Sequence, residues 1–390
     1  MSVVTIALLI VGFVLLVVGA EILVRGASKL AIAAGLSPLV VGLTVVAYGT
    51  SAPELAVSLQ SSFAGQADIA IGNIVGSNIA NILLILGITA TVSPLFVAKQ
   101  LVRLDVPLMI GVSVLMLLMG FDGNINSFEG GVLVLGAIAY TVFTLYQCRQ
   151  ENIRQEKADL ARETEDAKHL PDASQGVSSG DLLPPETRRK ESANPLVRIG
   201  SPLVVMAIGI ALLVVGANLM VNGAIAIAEY LGISELIIGL TIVAIGTSLP
   251  EIATCVAATL KGERDMAVGN AVGSNIFNIL LVIGLCSIVT PGGLEVSPSA
   301  IRFDMPIMIA VAVACLPIFF TGYMVLRQEG ILFLAYYVAY TLYLFLYATE
   351  HGALEEYSTV MVVFVVPITL LTLIGLAVQA WRHGHHGHRD

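Results

Sequence analysis

Charge is what this chain has least of. Asp, Glu, Lys and Arg together make up 12% of its 390 residues, against about 25% in soluble domains. With 57% apolar residues and a mean hydropathy of +0.90, the composition is that of a polytopic membrane protein. There is no basic stripe and no interleaving of aromatic and basic residues, which argues against nucleic acid as a partner. The four cysteines (Cys148, Cys255, Cys286, Cys315) have neither metal-type nor disulfide-framework spacing and read as small apolar helix residues. The first twenty residues lack a basic leader and a cleavage site, so they read as a retained first span.

What is abundant is hydrophobic length. Runs long enough to cross roughly 30 Å of hydrocarbon fall near 3–24, 37–62, 68–91, 104–121 and 128–148, and again near 199–222, 235–259, 266–289, 303–321, 329–348 and 358–380. The pattern is five helices, a polar stretch, five helices and one more. Arg25, Lys29, Lys99, Arg103, the basic residues of 149–198, Lys261, Arg264, Arg327, Arg382 and Arg389 fall on one side if the N-terminus is outside. The other side carries Asp68, Asp122, Glu229, Glu295, Glu350, Glu355 and Glu356, with Arg302 its one clear basic residue. The excess of Lys and Arg marks the cytoplasmic face. The expected orientation is therefore N-terminus outside, with the long loop and the C-terminus in the cytoplasm of a multi-pass inner or plasma membrane protein.

The expected organisation is a first half at 1–148, a cytoplasmic polar linker at 149–198, a second half at 199–350, and an extra span with a tail at 351–390. The linker opens with a charged stretch able to prolong helix 5, and its Pro-, Gly- and Ser-rich second part reads as a disordered tether. The tail RHGHHGHRD reads as solvated; histidine-rich tracts of this kind bind transition metals weakly.

The strongest signal is an internal repeat. Gly42–Leu59 (GLTVVAYGTSAPELAVSL) aligns with Gly239–Val256 (GLTIVAIGTSLPEIATCV), 11 of 18 identical, at an offset of 197. Ala70–Gly87 (AIGNIVGSNIANILLILG) aligns with Ala267–Gly284 (AVGNAVGSNIFNILLVIG), 13 of 18 identical, at the same offset. Two tandem units of five spans each must sit upside down relative to one another. The fold class expected is all-α, with two inverted-topology five-helix repeats forming a ten-helix core plus one extra C-terminal helix. Broken helices meeting at the bilayer midplane in such repeats are the architecture of secondary transporters.

The matched segments place Glu54 and Glu251 inside apolar spans, where an ionised carboxylate costs several kcal/mol unless something compensates it. Pro53 and Pro250 have no N–H for the carbonyls of Gly49 and Gly246, so each helix must kink or open there. On a helix Thr50 and Glu54 share a face, as do Thr247 and Glu251, Ser77 and Asn81, and Ser274 and Asn278. Inverting one repeat onto the other brings the two glutamates together. Carboxylates, hydroxyls and freed carbonyls suit Ca²⁺ or Na⁺, and the absence of His and Cys from these segments argues against Zn or Cu. One acid pair can hold one divalent ion or several monovalent ones, which is a physical basis for exchange. Gly49, Gly72, Gly76 and their counterparts Gly246, Gly269 and Gly273 read as close-packing positions. Asn73, Asn78, Asn270 and Asn275 read as bonds between helices, and Asp105 and Asp304, beside Pro107 and Pro306, as N-terminal caps.

At GTSAPE and GTSLPE, followed by GSNIANIL and GSNIFNIL, the chain resembles the cation/Ca²⁺ exchanger superfamily and, within it, the prokaryotic-type Na⁺/Ca²⁺ exchangers. The resemblance covers both repeats. It implies ten helices in two inverted halves and the export of Ca²⁺ against Na⁺ entry by alternating access. It implies that Glu54 and Glu251, with the backbone oxygens of Thr50 and Thr247, bind Ca²⁺. Na⁺ sites would use those glutamates with the Ala47 and Ala244 carbonyls, Ser51, Ser77, Ser248, Ser274, Asn81 and Asn278. Helices 1 and 6 would slide past the remaining core. Some family members carry Asp at the position of Asn278, an acid linked to K⁺ use; Asn here points to K⁺ independence. The eleventh helix lies outside the family's ten-helix pattern.

The expectation is thus a Na⁺/Ca²⁺ antiporter, with Ca²⁺ and Na⁺ as substrates, the bilayer as surroundings, no cofactor and no obligate protein partner. A Ca²⁺ or other cation/H⁺ antiporter would use the same glutamates as proton carriers. An intramembrane hydrolase with an acid pair is the third reading. No nucleophile–His pairing supports it, and the two acids have matched surroundings where catalysis usually requires different ones; no enzyme is expected.

Overall fold

The computed structural model describes residues 3–33, 47–168, 195–260, 262, 264–320, 322–365 and 367. The first half comprises α1 (Val3–Ala33), α2 (Ala47–Thr50), α3 (Ala52–Phe63), α4 (Ala67–Ala80), α5 (Gly87–Val92), α6 (Val106–Met119) and α7 (Ser127–Lys168). The second comprises α8 (Pro195–Leu231), α9 (Glu235–Ile238), α10 (Ala244–Thr247), α11 (Leu249–Leu260), α12 (Arg264–Phe277), α13 (Gly284–Val289), α14 (Met305–Phe320) and α15 (Arg327–Ala348). A further α16 (Leu354–Val360) follows. Among the described residues eight helices are long and apolar enough to cross a membrane, and the bent pair 235–260 makes a ninth. The second hydrophobic run begins, and the eleventh ends, outside the described residues. So do residues 169–194, where the disordered tether is expected, and the histidine-rich tail.

Repeat mates pack on one another in inverted order. Along α1 and α8, Gly12 meets Gly216, Gly19 meets Gly209, and Gly26 meets Met206 and Pro202, so the two helices run antiparallel. A Cβ on Gly216 would lie 2.7 Å from the Gly12 carbonyl oxygen, so only glycine permits this approach. Two short antiparallel ribbons repeat the exchange. β1 (Leu95–Phe96) pairs with β4 (Met324–Val325), and β2 (Asn124–Ile125) pairs with β3 (Leu294–Glu295). Each ribbon joins a strand of one repeat to a strand of the other.

The core sits around α4 and α12, the most enclosed spans. Twelve of the fourteen residues of α4 are buried, which leaves that helix no lipid-facing side. Gly72 and Gly76 lie against the backbone of 236–240, where a Cβ would come within 2.7 Å of the Leu236 carbonyl or 2.6 Å of that of Leu240. The packing role expected of them follows. For Gly269 and Gly273 no described atom lies within 4 Å of an added Cβ, so the close packing expected of them is not seen among the described residues.

Three expectations are corrected. First, α1 and α8 run well past the expected ends at 24 and 222, so Arg25, Lys29 and Glu229 lie on helix. Arg25 pairs with Glu21 one turn back. Second, Asp105 makes no side-chain cap bond to the first turn of α6, and both Asp105 and Asp304 bond tyrosines. Asp105 accepts from the Tyr140 hydroxyl (3.2 Å) and Asp304 from that of Tyr340 (2.9 Å). Each acid closes a π-helical turn, 101–105 and 300–304. Third, continuous helix was expected through the asparagine motifs. Both widen instead into π-helix at Asn81–Leu86 and Asn278–Ile283, a deviation that accumulates at functional sites.

Candidate functional site

The site grows from two broken helices. In the first repeat the chain leaves helical geometry at Ser51 (φ −85°, ψ 9°) and resumes at α3 with Pro53 in its first turn, where a missing N–H costs nothing. In the second repeat Ser248 takes the same conformation (φ −82°, ψ 2°), and the axis bends by 43°. A serine just before a helix ordinarily caps it with its hydroxyl. Ser51 makes no such cap bond, because its hydroxyl is used across the repeat interface.

Ser51 Oγ donates to Glu251 Oε1 (3.2 Å), and Ser248 Oγ donates to Glu54 Oε1 (3.2 Å). Ser51 also reaches Ser274 Oγ at 3.3 Å, and Ser77 Oγ reaches the Ala244 carbonyl at 3.5 Å. That carbonyl also receives the Ser248 N–H and the Thr247 hydroxyl. Thr247 further donates to Asn73 Oδ1 (3.0 Å), and Asn73 in turn holds Ser58 Oγ (2.9 Å) and the Glu54 carbonyl (3.3 Å).

Both glutamates are 1% exposed, and Thr50, Ser51, Ser77, Asn81, Thr247, Ser248, Ser274 and Asn278 are all buried. Ser51, Ser248, Ser274 and the two glutamates meet across the repeat interface, Ser77 reaches the Ala244 carbonyl, and Asn81 and Asn278 bond Asn275 and Asn78. Ala47 starts α2; nothing is described of its side chain. Among the described residues no Lys, Arg or His pairs with either glutamate, the one ion pair being Arg25 with Glu21. Four buried oxygens there have no hydrogen-bond partner: Glu54 Oε2, Glu251 Oε2, Asn81 Oδ1 and Asn278 Oδ1. They are two pairs of repeat mates. An unpaired buried acceptor is costly, and two uncompensated carboxylates more so. Carboxylate and amide oxygens left unpartnered in this way have the chemistry of a hard-cation site.

Comparison with known proteins shows the family. The sequence profile described as Sodium/calcium exchanger protein matches residues 4–146 and 201–346. The chain belongs to the sodium/calcium exchanger family. It is 40% identical to the Inner membrane protein YrbG of Escherichia coli over 314 residues, 79% of this chain and 86% of that protein. It is 35% identical to the Sodium/calcium exchanger MaX1 of Methanosarcina acetivorans over 364 residues, 88% of this chain and 99% of that protein. Among solved structures it is similar to the sodium-calcium exchanger NCX_Mj soaked with Na⁺ and Sr²⁺, with a TM-score of 0.55 and 29% identity. That match covers 88% of this chain and 99% of the other. The family is one of multi-pass membrane antiporters of cations, and the chain is a transporter rather than an enzyme.

Sequence reasoning missed several parts of this site. Ser58, Met109 and Met308 touch the asparagines, but a serine and two methionines among apolar residues give no separate signal. The glycine seam was legible: Gly12, Gly19 and Gly26, and Gly209, Gly216 and Gly223, recur every seven residues.

Proposed function

We propose that this protein exchanges Na⁺ for Ca²⁺ across the cell membrane by alternating access, with Ca²⁺ leaving the cell as Na⁺ enters. The observation that carries the reading is the four partnerless buried oxygens on Glu54, Glu251, Asn81 and Asn278, with no Lys, Arg or His paired to either glutamate among the described residues. In this reading Glu54 and Glu251 bind Ca²⁺ with the backbone oxygens of Thr50 and Thr247. Na⁺ ions occupy positions among the same carboxylates, the Ala47 and Ala244 carbonyls, Ser51, Ser77, Ser248, Ser274, Asn81 and Asn278.

Coupling follows from charge. Two carboxylates in a low-dielectric site require compensating positive charge, supplied either by one Ca²⁺ or by several Na⁺ but not by both at once. The antiparallel pair of α1 and α8 crosses both breaks: Val24 fills the space beside Gly49, and Met220 and Phe13 that beside Gly246. Sliding of that pair would uncover the site to alternate sides. The N-terminus lies outside, and the 149–198 segment and C-terminus in the cytoplasm, by the excess of Lys and Arg on that side.

In proteoliposomes loaded with Na⁺, an outward Na⁺ gradient should drive uptake of radiolabelled Ca²⁺, and Glu54→Gln should abolish it. Uptake driven equally well by a pH gradient without Na⁺ would replace this reading with cation/H⁺ exchange.

A further inference from the structure

An amide group has the same shape either way round, so a liganding asparagine must be told which end to offer. Asn81 and Asn278 each have a carbonyl oxygen that suits a cation and an NH₂ group that repels one. Both are buried, and both turn their oxygens away from any protein partner. The neighbours that enforce this are a second pair of asparagines, Asn275 and Asn78, three residues upstream in the opposite repeat.

Asn275 Nδ2 donates to the Asn78 main-chain carbonyl (3.0 Å) and lies 3.5 Å from Met109 Sδ. Both partners are acceptors only. A flipped Asn275 would set its own oxygen against a carbonyl oxygen, so its orientation is decided by backbone. Its Oδ1 therefore faces Asn81 and accepts from Asn81 Nδ2 at 2.9 Å. With its NH₂ engaged there, Asn81 has its oxygen on the far side. The mate arrangement is the same. Asn78 Nδ2 donates to the Asn275 carbonyl (3.3 Å) and lies 3.6 Å from Met308 Sδ, and Asn78 Oδ1 accepts from Asn278 Nδ2 at 3.1 Å. All four amides are no more than 2% exposed, so water does not compete for these bonds.

We propose that Asn275 and Asn78 are positioning residues that lock Asn81 and Asn278 with their amide oxygens toward the transported cation. They touch no ion themselves. The proposal rests on the reading above that Asn81 and Asn278 are Na⁺ ligands. Without the lock, each amide is free to rotate and present NH₂ to the ion, and the site loses Na⁺ affinity while its shape and charge are kept.

The test is a double-mutant cycle on the reconstituted full chain, reading the Na⁺ concentration that half-saturates Na⁺-driven Ca²⁺ uptake. Asn275→Leu alone should raise it roughly tenfold, the effect of about one hydrogen bond. In the Asn81→Leu background it should add nothing further, since no amide is left to orient. Independent addition of the two effects, or an unchanged Na⁺ dependence in Asn275→Leu, overturns the lock while leaving Asn81 a ligand. An unchanged Na⁺ dependence in Asn81→Leu overturns the ligand reading, and the lock with it. If Asn275→Leu does not reconstitute, the mate variant Asn78→Leu is read in the same way. It should raise the half-saturating Na⁺ concentration roughly tenfold and add nothing in the Asn278→Leu background, and independent addition or an unchanged Na⁺ dependence overturns the lock.

Discussion

Ser51 gives its hydroxyl hydrogen to Glu251 of the other repeat, at 3.2 Å, and Ser248 returns the same bond to Glu54. Each glutamate is therefore oriented by the break in the opposite half. Neither half holds a finished site, and any rearrangement that parts the two breaks releases both carboxylates together.

Ser51→Ala and Ser248→Ala should weaken Ca²⁺ binding by similar amounts. A hydrogen bond to a charged acceptor contributes ~1.5–3 kcal/mol, which predicts a rise of about 10- to 100-fold in the half-saturating Ca²⁺ concentration. Uptake titrations on the two single variants check this. A tenfold disparity between them would contradict the reciprocal geometry.

Ca²⁺ should stabilise the protein through the site that holds Glu54 and Glu251. A ligand at a hundred times its Kd adds ~2.7 kcal/mol to the folded state, visible as a raised Tm in detergent. Glu54→Gln and Glu251→Gln should each remove that increment. Asp105→Asn and Asp304→Asn should keep it, because those acids bond tyrosines instead.

Tyr340→Phe should lower thermal stability by leaving the Asp304 carboxylate short of its hydroxyl donor. The cost is ~1–3 kcal/mol for a buried acceptor. Tyr140→Phe should cost less, since its bond is longer (3.2 Å against 2.9 Å) and Tyr140 is only partly buried. Adding Asp304→Leu to Tyr340→Phe should recover part of the loss, as removing both partners spares the unmet acceptor.

Gly216→Leu should disrupt the pairing of α1 with α8. A side chain there meets the Gly12 carbonyl and the Leu16 backbone at 2.7–2.8 Å, and backbone cannot step aside as a rotamer can. Overpacking of this kind costs ~1–3 kcal/mol or more, readable as a lowered Tm or as loss of the monodisperse peak in size-exclusion chromatography. Gly111→Ala, with no described atom within 4 Å, is the matched control and should leave both unchanged.

Much of this was legible before any coordinates. An odd number of spans per unit and a 197-residue offset between two motifs require inversion, because a chain that crosses a bilayer five times ends on the side opposite its start. Pro53 and Pro250 announce the breaks by lacking an N–H. Glu54 and Glu251 announce the site by their cost in hydrocarbon. These are local or topological facts, and each residue carries its own signal.

Other features depended on which side chains meet. Asp105 and Asp304 look like caps because a helix begins beside each, yet they accept from Tyr140 and Tyr340, 35 and 36 residues on. Ser51 and Ser248 look like caps for the same reason and bond across the repeats. The orientation of Asn81 comes from the Asn78 carbonyl through Asn275, which lies 194 residues along the chain from Asn81. The sequence by itself determined that two acids from inverted halves must share a membrane interior. The tertiary structure alone decided which hydroxyl holds which oxygen, because a hydrogen bond is set by distance and direction and not by the order of residues.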